Sequence, residues 1–397
     1  MKYLTEKRKK WIFFLGYALY CCVYMCRFNL TTSSVLLQLN GIVDTRQYGL
    51  LGSVFAVTYS VGRVLNGYLG DRLNGRIMIS GGIMLAGIAN ILAGTFPPFG
   101  VLMLLWSVNG YAQSMIWGPL LCTVTESFSE KGKGLAGSVL TSSVSVGSVL
   151  GILLAKWSMG RFALGFVFYI PGFLALALGI TATFGFENKD AKSQEERLSL
   201  RESLSKSRKI LPMTTAAFFH GFMKDSVSAW AALIFFRCFH IELDGISYFV
   251  LMVPTIGVIG RLLYPVLYRR IRNESRIAVS GFCICCISAI VLCVSKTAWI
   301  TAVCLCVIAA AVSTINTGML STYPMRFMEE GLVSSVSGWM DFATYMGSAI
   351  SSAVFGAMLA GEVPHFNGMY ICWLGASLIS IWILIKKTEF KREKGRK

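Results

Sequence analysis

The chain has 397 residues, of which 55% are hydrophobic and only 14% are charged, and its mean hydropathy is +0.62. Soluble domains carry about 25% charged residues, so this composition excludes a soluble enzyme and indicates an integral membrane protein. The formal net charge of +17 could suggest a nucleic-acid partner, but the placement of the basic residues argues against one.

Apolar segments of about 20 residues or more, each long enough to cross a bilayer core of about 30 Å, recur along the whole chain. We count twelve and number them spans 1 to 12. The first is too long for a cleavable signal peptide and lacks a small-residue exit. The approximate ranges are 11–38, 47–70, 76–97, 99–126, 132–156, 162–186, 211–237, 243–268, 276–294, 298–326, 331–359 and 366–387.

Lysine and arginine are distributed unevenly between the two sides of the predicted membrane. The N-terminus, the C-terminus and the loops that follow even-numbered spans hold 28 of the 37 basic residues, whereas the opposite side holds 5. This positive-inside pattern predicts that both termini are cytoplasmic, in a multi-pass protein of the bacterial plasma (inner) membrane. The basic segment 386–397 then serves as a topology anchor near anionic headgroups, and no nucleic-acid partner is expected.

A polar stretch divides the spans into two groups of six. We predict an N-terminal bundle over residues 1–186, a cytoplasmic linker over 187–210 and a C-terminal bundle with a basic tail over 211–397. The halves resemble each other, since Gly62-Arg63-Val64-Leu65 corresponds to Gly260-Arg261-Leu262-Leu263 at an offset of 198. The predicted fold is therefore an all-α membrane protein with twelve transmembrane helices in two pseudo-symmetric six-helix bundles, a design that secondary transporters share.

The sequence predicts no metal, no cofactor and no enzymatic activity. The twelve cysteines lie in or at the ends of spans, where free thiols behave as small buried hydrophobes. The cluster of Cys283, Cys285 and Cys286 has no histidine or carboxylate at ligand spacing. No G-x-x-x-x-G-K-[ST] motif indicates ATP-driven pumping, and nothing resembles an activated nucleophile.

Three spans carry polar residues at helical spacing on one face. They are Tyr20, Tyr24, Arg27 and Thr31 in span 1; Tyr59 and Arg63 in span 2; and His220, Lys224 and Ser228 in span 7. A charge at the centre of a membrane helix costs at least about 2.5–3.5 kcal/mol and indicates a functional site. Arg27 and Lys224 lie 197 residues apart, at matching places in the two halves. They predict an anionic ligand, because guanidinium and ammonium both bind phosphate oxygens.

The loop after span 2, Gly67-Tyr68-Leu69-Gly70-Asp71-Arg72-Leu73-Asn74-Gly75-Arg76, resembles the G-x-L-x-D-R-x-G-R signature of the major facilitator superfamily. The Asp71 carboxylate can pair with arginines or a helix N-terminus in one conformation more than in another, as a two-state gate requires. The predicted gating residues are Asp71, Arg72, Arg76, Glu126 and Arg261, the last being the repeat-mate of Arg63.

A narrower resemblance covers most of the chain and is strongest in spans 1 to 4. Tyr20-x-x-x-Tyr24-x-x-Arg27-x-Asn29, Tyr59-x-x-x-Arg63 and Gln113-x-x-x-Trp117-x-Pro119 resemble the organophosphate:phosphate antiporter family, whose members transport glycerol-3-phosphate and hexose phosphates. The family's span-7 cation precedes a tryptophan by six residues, as Lys224 precedes Trp230. The resemblance implies that Arg27 and Lys224 clamp phosphate, that Tyr24 and Tyr59 bond it, with Tyr20 beside them, and that Arg63 attracts it.

Three departures leave the organic part of the ligand open. Lysine replaces the family's second arginine, Val144 stands where glycerol-3-phosphate transporters carry a histidine, and span 11 bears Asp341 with Tyr345 and Ser348 on its face. Asp341 could accept polyol hydroxyls or pair with Lys224. His220 is predicted to line the cavity, and Asp225 to form an interhelical ion pair or to titrate.

Three functions are therefore weighed. The first is exchange of a phosphorylated small metabolite for inorganic phosphate by a monomer in the bilayer, through alternating access. The second is proton-driven symport of a carboxylate such as a sugar acid, with Asp225 or Asp341 carrying the proton. The third is a membrane receptor for a sugar phosphate.

Overall fold

The computed structural model describes residues 5–70, 74–186, 210–327, 333–361 and 365–394. Within these ranges the regular secondary structure is entirely helical and no strand occurs. Asp71, Arg72 and nearly all of the predicted linker 187–210 lie outside the described residues.

The α-helices follow one another with short connections. They are α1 (Glu6–Leu39), α2 (Thr45–Gly70), α3 (Gly75–Ala93), α4 (Phe99–Ser114), α5 (Trp117–Thr125), α6 (Glu130–Met159), α7 (Phe166–Gly185), α8 (Leu211–Phe239), α9 (Leu243–Ile271), α10 (Glu274–Val294), α11 (Ala298–Asn316), α12 (Val333–Met358) and α13 (Phe366–Lys394).

These helices correspond to the twelve predicted spans, with α4 and α5 together forming span 4. Nine helices in the described ranges are long and apolar enough to cross a membrane. The exceptions are the divided span 4 and the two helices α8 and α12. Of these, α8 contains Lys224 and Asp225, and α12 contains Asp341 among serines and glycines. Ionisable groups lower the apolarity of both helices, although α1 still qualifies as a membrane span with Arg27 inside it.

Span 4, which the sequence analysis gave as one continuous segment, is broken into two helices. The α4 helix ends at Ser114, and α5 begins at Trp117. Pro119 has no N–H to donate to the carbonyl of Met115, four residues earlier. The N–H groups of Met115 and Ile116 donate instead to the carbonyls three residues back, at 3.2 and 3.3 Å. The proline therefore breaks the helix completely, and the break lies one turn before the proline itself.

Span 10 also ends differently from the prediction. The α11 helix gives way at Thr317 to a π-helical turn, Thr317–Thr322, and then to a 3₁₀ turn, Pro324–Phe327. The Tyr323 N–H donates to the Gly318 carbonyl, five residues back, at 2.8 Å. Pro324 cannot continue an α-helix because it lacks an N–H, so the wider turn ends the span.

The chain divides into two compact units. Unit 1 comprises Met1–Ile42 and Val57–Ser193, and unit 2 comprises Val43–Ala56 and Gln194–Lys397. The boundary crosses α2, whose beginning belongs to unit 2. In unit 1, α1 packs closely on α6. A Cβ at Gly147 would lie only 2.5 Å from the carbonyl oxygen of Cys21, so the two helices can approach this closely because residue 147 has no side chain. Small residues of this kind permit close helix approach within membranes.

Candidate ligand-binding site

Unit 1 brings Arg27 together with two of the tyrosines predicted beside it. The guanidinium carbon of Arg27 lies 5.3 Å from the ring centroid of Tyr59 and 5.9 Å from that of Tyr24. Both distances allow cation–π attraction, which acts within about 6 Å. Tyr59 is buried, whereas Arg27 and Tyr24 are half-buried. Arg63 follows Tyr59 by one helical turn on α2 and is also half-buried.

Tyr20 lies deeper in unit 1 than the other tyrosines of α1. Its ring centroid is 5.6 Å from that of Tyr24 and 4.6 Å from that of Trp117, the first residue of α5. Only 4% of Tyr20 is exposed. The break in span 4 thus places an indole against the tyrosine row that ends at Arg27.

A chain of buried amides crosses unit 1 beside this row. Asn29 Nδ2 donates to Asn90 Oδ1 at 2.7 Å, Asn90 Nδ2 donates to Asn109 Oδ1 at 3.3 Å, and Gln113 Nε2 donates to the same Asn109 oxygen at 3.0 Å. All four side chains are at most 1% exposed. The sequence analysis used Asn29 and Gln113 only as motif positions and missed Asn90 and Asn109. Their signal was an amide within an apolar segment: Asn90 is the one amide of span 3, and Asn109 lies four residues before Gln113 in span 4.

This amide chain reaches the backbone next to Arg27. Asn109 Nδ2 donates to the carbonyl oxygen of Cys26 at 3.2 Å. A buried polar group without a partner is costly, so the four amides fix the relative positions of α1, α3 and α4. They thereby hold the segment of α1 that carries Arg27.

Unit 2 places a cation, a carboxylate and a hydroxyl side by side. Lys224 Nζ lies 3.2 Å from Asp225 Oδ1, and Ser348 Oγ donates to Asp225 Oδ2 at 2.6 Å. The Lys224 ammonium is also 5.0 Å from the ring centroid of Tyr345. The side chains of Lys224 and Asp225 are 23% and 38% exposed. The predicted cation therefore has its sequence neighbour as an ion-pair partner.

Glycines at the crossing of α8 and α12 bring these residues together. A Cβ at Gly221 would overlap the carbonyl oxygen of Thr344, and a Cβ at Gly347 would overlap that of Phe218. The two backbones touch because neither position has a side chain. Lys224 follows Gly221 by three residues, and Tyr345 is the residue after Thr344, so the crossing sets their separation.

The remaining predicted binding residues lie in different surroundings. His220 is fully buried, with Nε2 2.9 Å from the carbonyl oxygen of Val312 in α11, so it lies in the packed interior of unit 2. Asp341 lies on α12 one turn before Tyr345 and is half-buried. Tyr345 itself is 7% exposed.

The predicted gating residues are only partly described. Arg76 is in the first turn of α3, where its N–H donates to the capping side chain of Asn74 at 3.0 Å. Glu126 directly follows the last residue of α5. Arg261 follows Gly260, whose carbonyl accepts a 2.8 Å hydrogen bond from Thr314 Oγ1.

Unit 2 contains an ion pair that the sequence analysis missed. Arg326 pairs with Glu274 at the start of α10, and Tyr268 Oη donates to Glu274 Oε1 at 3.2 Å. Glu274 is only 2% exposed. The sequence analysis did not pair the two residues, because nothing in the sequence shows that Arg326 meets a carboxylate 52 residues earlier. No group of three or more potential metal ligands occurs among the described residues.

Comparison with known proteins identifies the class. The profile of the Major Facilitator Superfamily matches residues 13–352. The chain belongs to the Major Facilitator Superfamily. A solved structure of a mutant of the nucleoside transporter NupG superimposes with a TM-score of 0.80 at 12% identity, covering 96% of this chain and 99% of that one. The predicted all-α membrane fold is confirmed, and the family is one of transporters, not of enzymes.

Curated relatives support the narrower resemblance. A probable hexose phosphate transport protein of Chlamydia muridarum (strain MoPn / Nigg) is 24% identical over 296 residues, 66% of this chain and 65% of the relative. Sugar phosphate exchanger 3 of Bos taurus is 30% identical over 143 residues, 34% of this chain and 29% of the relative. Across three hexose phosphate relatives, the chain covers 55% to 65% of their length.

Proposed function

We propose that this protein is a secondary active transporter that exchanges a phosphorylated small metabolite, of the sugar phosphate or glycerol phosphate class, for inorganic phosphate. The observation that carries the proposal is the Arg27 guanidinium, the one charged group of span 1, against the rings of Tyr24 and Tyr59. Relatives named for hexose phosphate transport and for sugar phosphate exchange support the substrate class.

The proposed chemistry is electrostatic. Arg27 offers a forked pair of donors to phosphate oxygens, and Lys224 offers a point charge. At an effective dielectric constant near 20, each cation attracts a unit negative charge at 4 Å by about 4 kcal/mol. Tyr24, Tyr59 and Tyr20 supply hydroxyl groups in the first half of the chain, and Arg63 draws the anion in. Asp341 and Tyr345 contact the organic part.

Transport requires the ligand to favour one conformation over another. In the proposed cycle, a phosphate dianion binds both Arg27 and Lys224 and so lowers the barrier between the two access states. Asp71, Arg72 and Arg76 act in gating, as their resemblance to the superfamily signature implies. Glu126, at the inner end of span 4, is a further partner in this gate, and Arg261, the repeat-mate of Arg63, acts in a second gate. The protein works as a monomer in a bacterial inner membrane, with both termini in the cytoplasm, because a single chain carries both cations and the basic residues concentrate on one side.

Counterflow in proteoliposomes tests this proposal. Vesicles loaded with unlabelled phosphate should take up labelled phosphate. Unlabelled glucose 6-phosphate or glycerol 3-phosphate outside should compete, whereas sugar acids should not. Competition by sugar acids alone would contradict the proposed substrate class.

A second candidate is favoured by the carboxylate beside Lys224. Asp225 is ion-paired and accepts a hydrogen bond from Ser348, an arrangement that a proton could disrupt. Such a protein would be a proton-coupled symporter of a carboxylate. Uptake driven by a pH gradient into vesicles without internal phosphate would favour it over exchange.

A further inference from the structure

The end of α6 and the turn that follows it form an open cavity apart from the residues discussed above. It is a shallow depression with a volume of about 410 Å³. It is lined by Leu153, Lys156, Trp157, Gly160 and Arg161, all in unit 1.

An aromatic row holds one of the two cations in place. The guanidinium carbon of Arg161 lies 5.2 Å from the ring centroid of Trp157, within the range of cation–π attraction. The Trp157 centroid lies 5.4 Å from that of Phe162, which stacks on Phe166 at 5.1 Å. All three aromatic side chains are exposed. The row presents a fixed positive charge beside an apolar wall.

The residues that line the cavity carry charge of one sign only. None of the lining residues is acidic, and the sequence from residue 131 to residue 186 contains no aspartate or glutamate. Lys156 and Arg161 are also two of the five basic residues on the side of the membrane that the positive-inside pattern leaves poor in charge. The positive-inside pattern therefore does not account for two basic residues on this side of the membrane.

An exposed apolar stripe leads away from the cavity along α6. Val146, Leu150, Leu153 and Trp157 recur at intervals of four, three and four residues, so they share one helix face. All four are exposed large hydrophobic side chains. A hydrocarbon chain lying along this face would start at the two cations.

We propose that this corner is a binding site for an anionic phospholipid, with its phosphate between Lys156 and Arg161 and an acyl chain along the stripe. A basic residue near a membrane surface favours anionic lipid by about 1 kcal/mol, so two together enrich it roughly 30-fold. Interfacial anchoring by aromatic and basic side chains is the ordinary alternative. Such anchoring would not distinguish phosphatidylglycerol from phosphatidylcholine at Trp157.

Fluorescence quenching by brominated lipids separates the two. The full-length protein is reconstituted in phosphatidylcholine with a minor fraction of brominated phosphatidylglycerol or of brominated phosphatidylcholine, and the Trp157 signal is the difference from a Trp157→Phe variant. The site predicts stronger quenching by the brominated phosphatidylglycerol. Equal quenching by the two lipids would overturn the proposal.

Variants test whether Lys156 and Arg161 cause the preference for phosphatidylglycerol over phosphatidylcholine. Lys156→Gln combined with Arg161→Gln should abolish it, whereas Lys156→Arg with Arg161→Lys should retain it, because charge alone is at issue. Lys296→Gln, which removes another basic residue of the same predicted side, should leave it unchanged. A preference that survives the double glutamine variant, or that soluble glycerol 3-phosphate removes, would overturn a lipid site. None of these readouts depends on transport.

Discussion

The two mid-helix cations of this protein occupy matching places in the sequence, but their surroundings differ. The neighbours of Arg27 in the chain are Cys26 and Phe28, and its side chain lies against two tyrosine rings. Lys224 is followed by a carboxylate and pairs with it at 3.2 Å. A counter-ion for the lysine is therefore built into its own helix.

This difference predicts unequal roles for one phosphate. The arginine offers geometry, since its planar fork matches two oxygens at once. The lysine offers a charge that its aspartate already engages, so an anion must compete with Asp225 for it. The following predictions test that inequality, from the largest expected effect to the smallest.

Exchanging the cations should give asymmetric results. Arg27→Lys keeps the charge but loses the fork, and we expect phosphate exchange to fall by about 10- to 100-fold, since hydrogen bonds to charged groups contribute about 1.5–3 kcal/mol. Lys224→Arg should retain exchange within a few-fold, because the point charge is preserved. Initial rates of labelled phosphate uptake measure both. Equal losses of exchange rate in Arg27→Lys and Lys224→Arg would contradict the unequal roles of the two cations.

Close packing at the α8–α12 crossing, which positions Lys224 and Tyr345, should contribute to the stability of the protein. Gly221→Ala forces a Cβ against the carbonyl of Thr344, and we expect it to destabilise the protein by about 1–3 kcal/mol, as overpacking does. Gly375→Ala is the matched control, because a Cβ there has no neighbour within 4 Å. Thermal unfolding in detergent compares the two. An unchanged transition in Gly221→Ala would show that the backbones do not touch.

Removing the internal counter-ion should strengthen anion binding. Asp225→Asn frees Lys224, and we expect the apparent affinity for phosphate to rise about threefold to fivefold, the scale of a partly exposed ion pair. Asp225→Glu keeps the charge and serves as the control. The half-saturating phosphate concentration in counterflow is the measurement. Weaker binding in Asp225→Asn would mean that the carboxylate supports the ligand instead of competing with it.

The smallest effect is expected at Tyr345. Tyr345→Leu removes the ring beside Lys224 and should weaken phosphate binding about twofold to fivefold, because a cation–π contact contributes at least about 0.5–1 kcal/mol. Tyr345→Phe keeps the ring and should behave as the parent protein. A large loss in Tyr345→Phe alone would instead assign the role to the hydroxyl group.

Much of the fold could be predicted from sequence because a bilayer restricts the chain to helices of a known length. The stripe of Tyr20, Tyr24 and Arg27 follows from helical spacing alone. The contact between Arg27 and Tyr59 does not follow from helical spacing, since it depends on how α1 and α2 pack. The resemblance to a known family supplied that expectation.

The features missed by sequence analysis depend on contacts between distant segments or on side-chain flexibility. Asn90 lies on α3 and Asn109 on α4, so the hydrogen bond between their side chains exists only when these two helices pack together. The pairing of Lys224 with Asp225 was not expected, because adjacent helical residues face different directions. A long, flexible lysine side chain overcomes that separation.

The most direct test of the account is phosphate self-exchange by Arg27→Gln in proteoliposomes, beside Lys296→Gln as a charge-removing control outside the proposed site. Both proteins are reconstituted at equal density and loaded with phosphate. The account predicts that Arg27→Gln loses exchange by about 100-fold or more, as removal of a cation from a phosphate site implies, while Lys296→Gln exchanges at the parent rate. Exchange by Arg27→Gln at the parent rate would contradict the claim that Arg27 binds the transported phosphate.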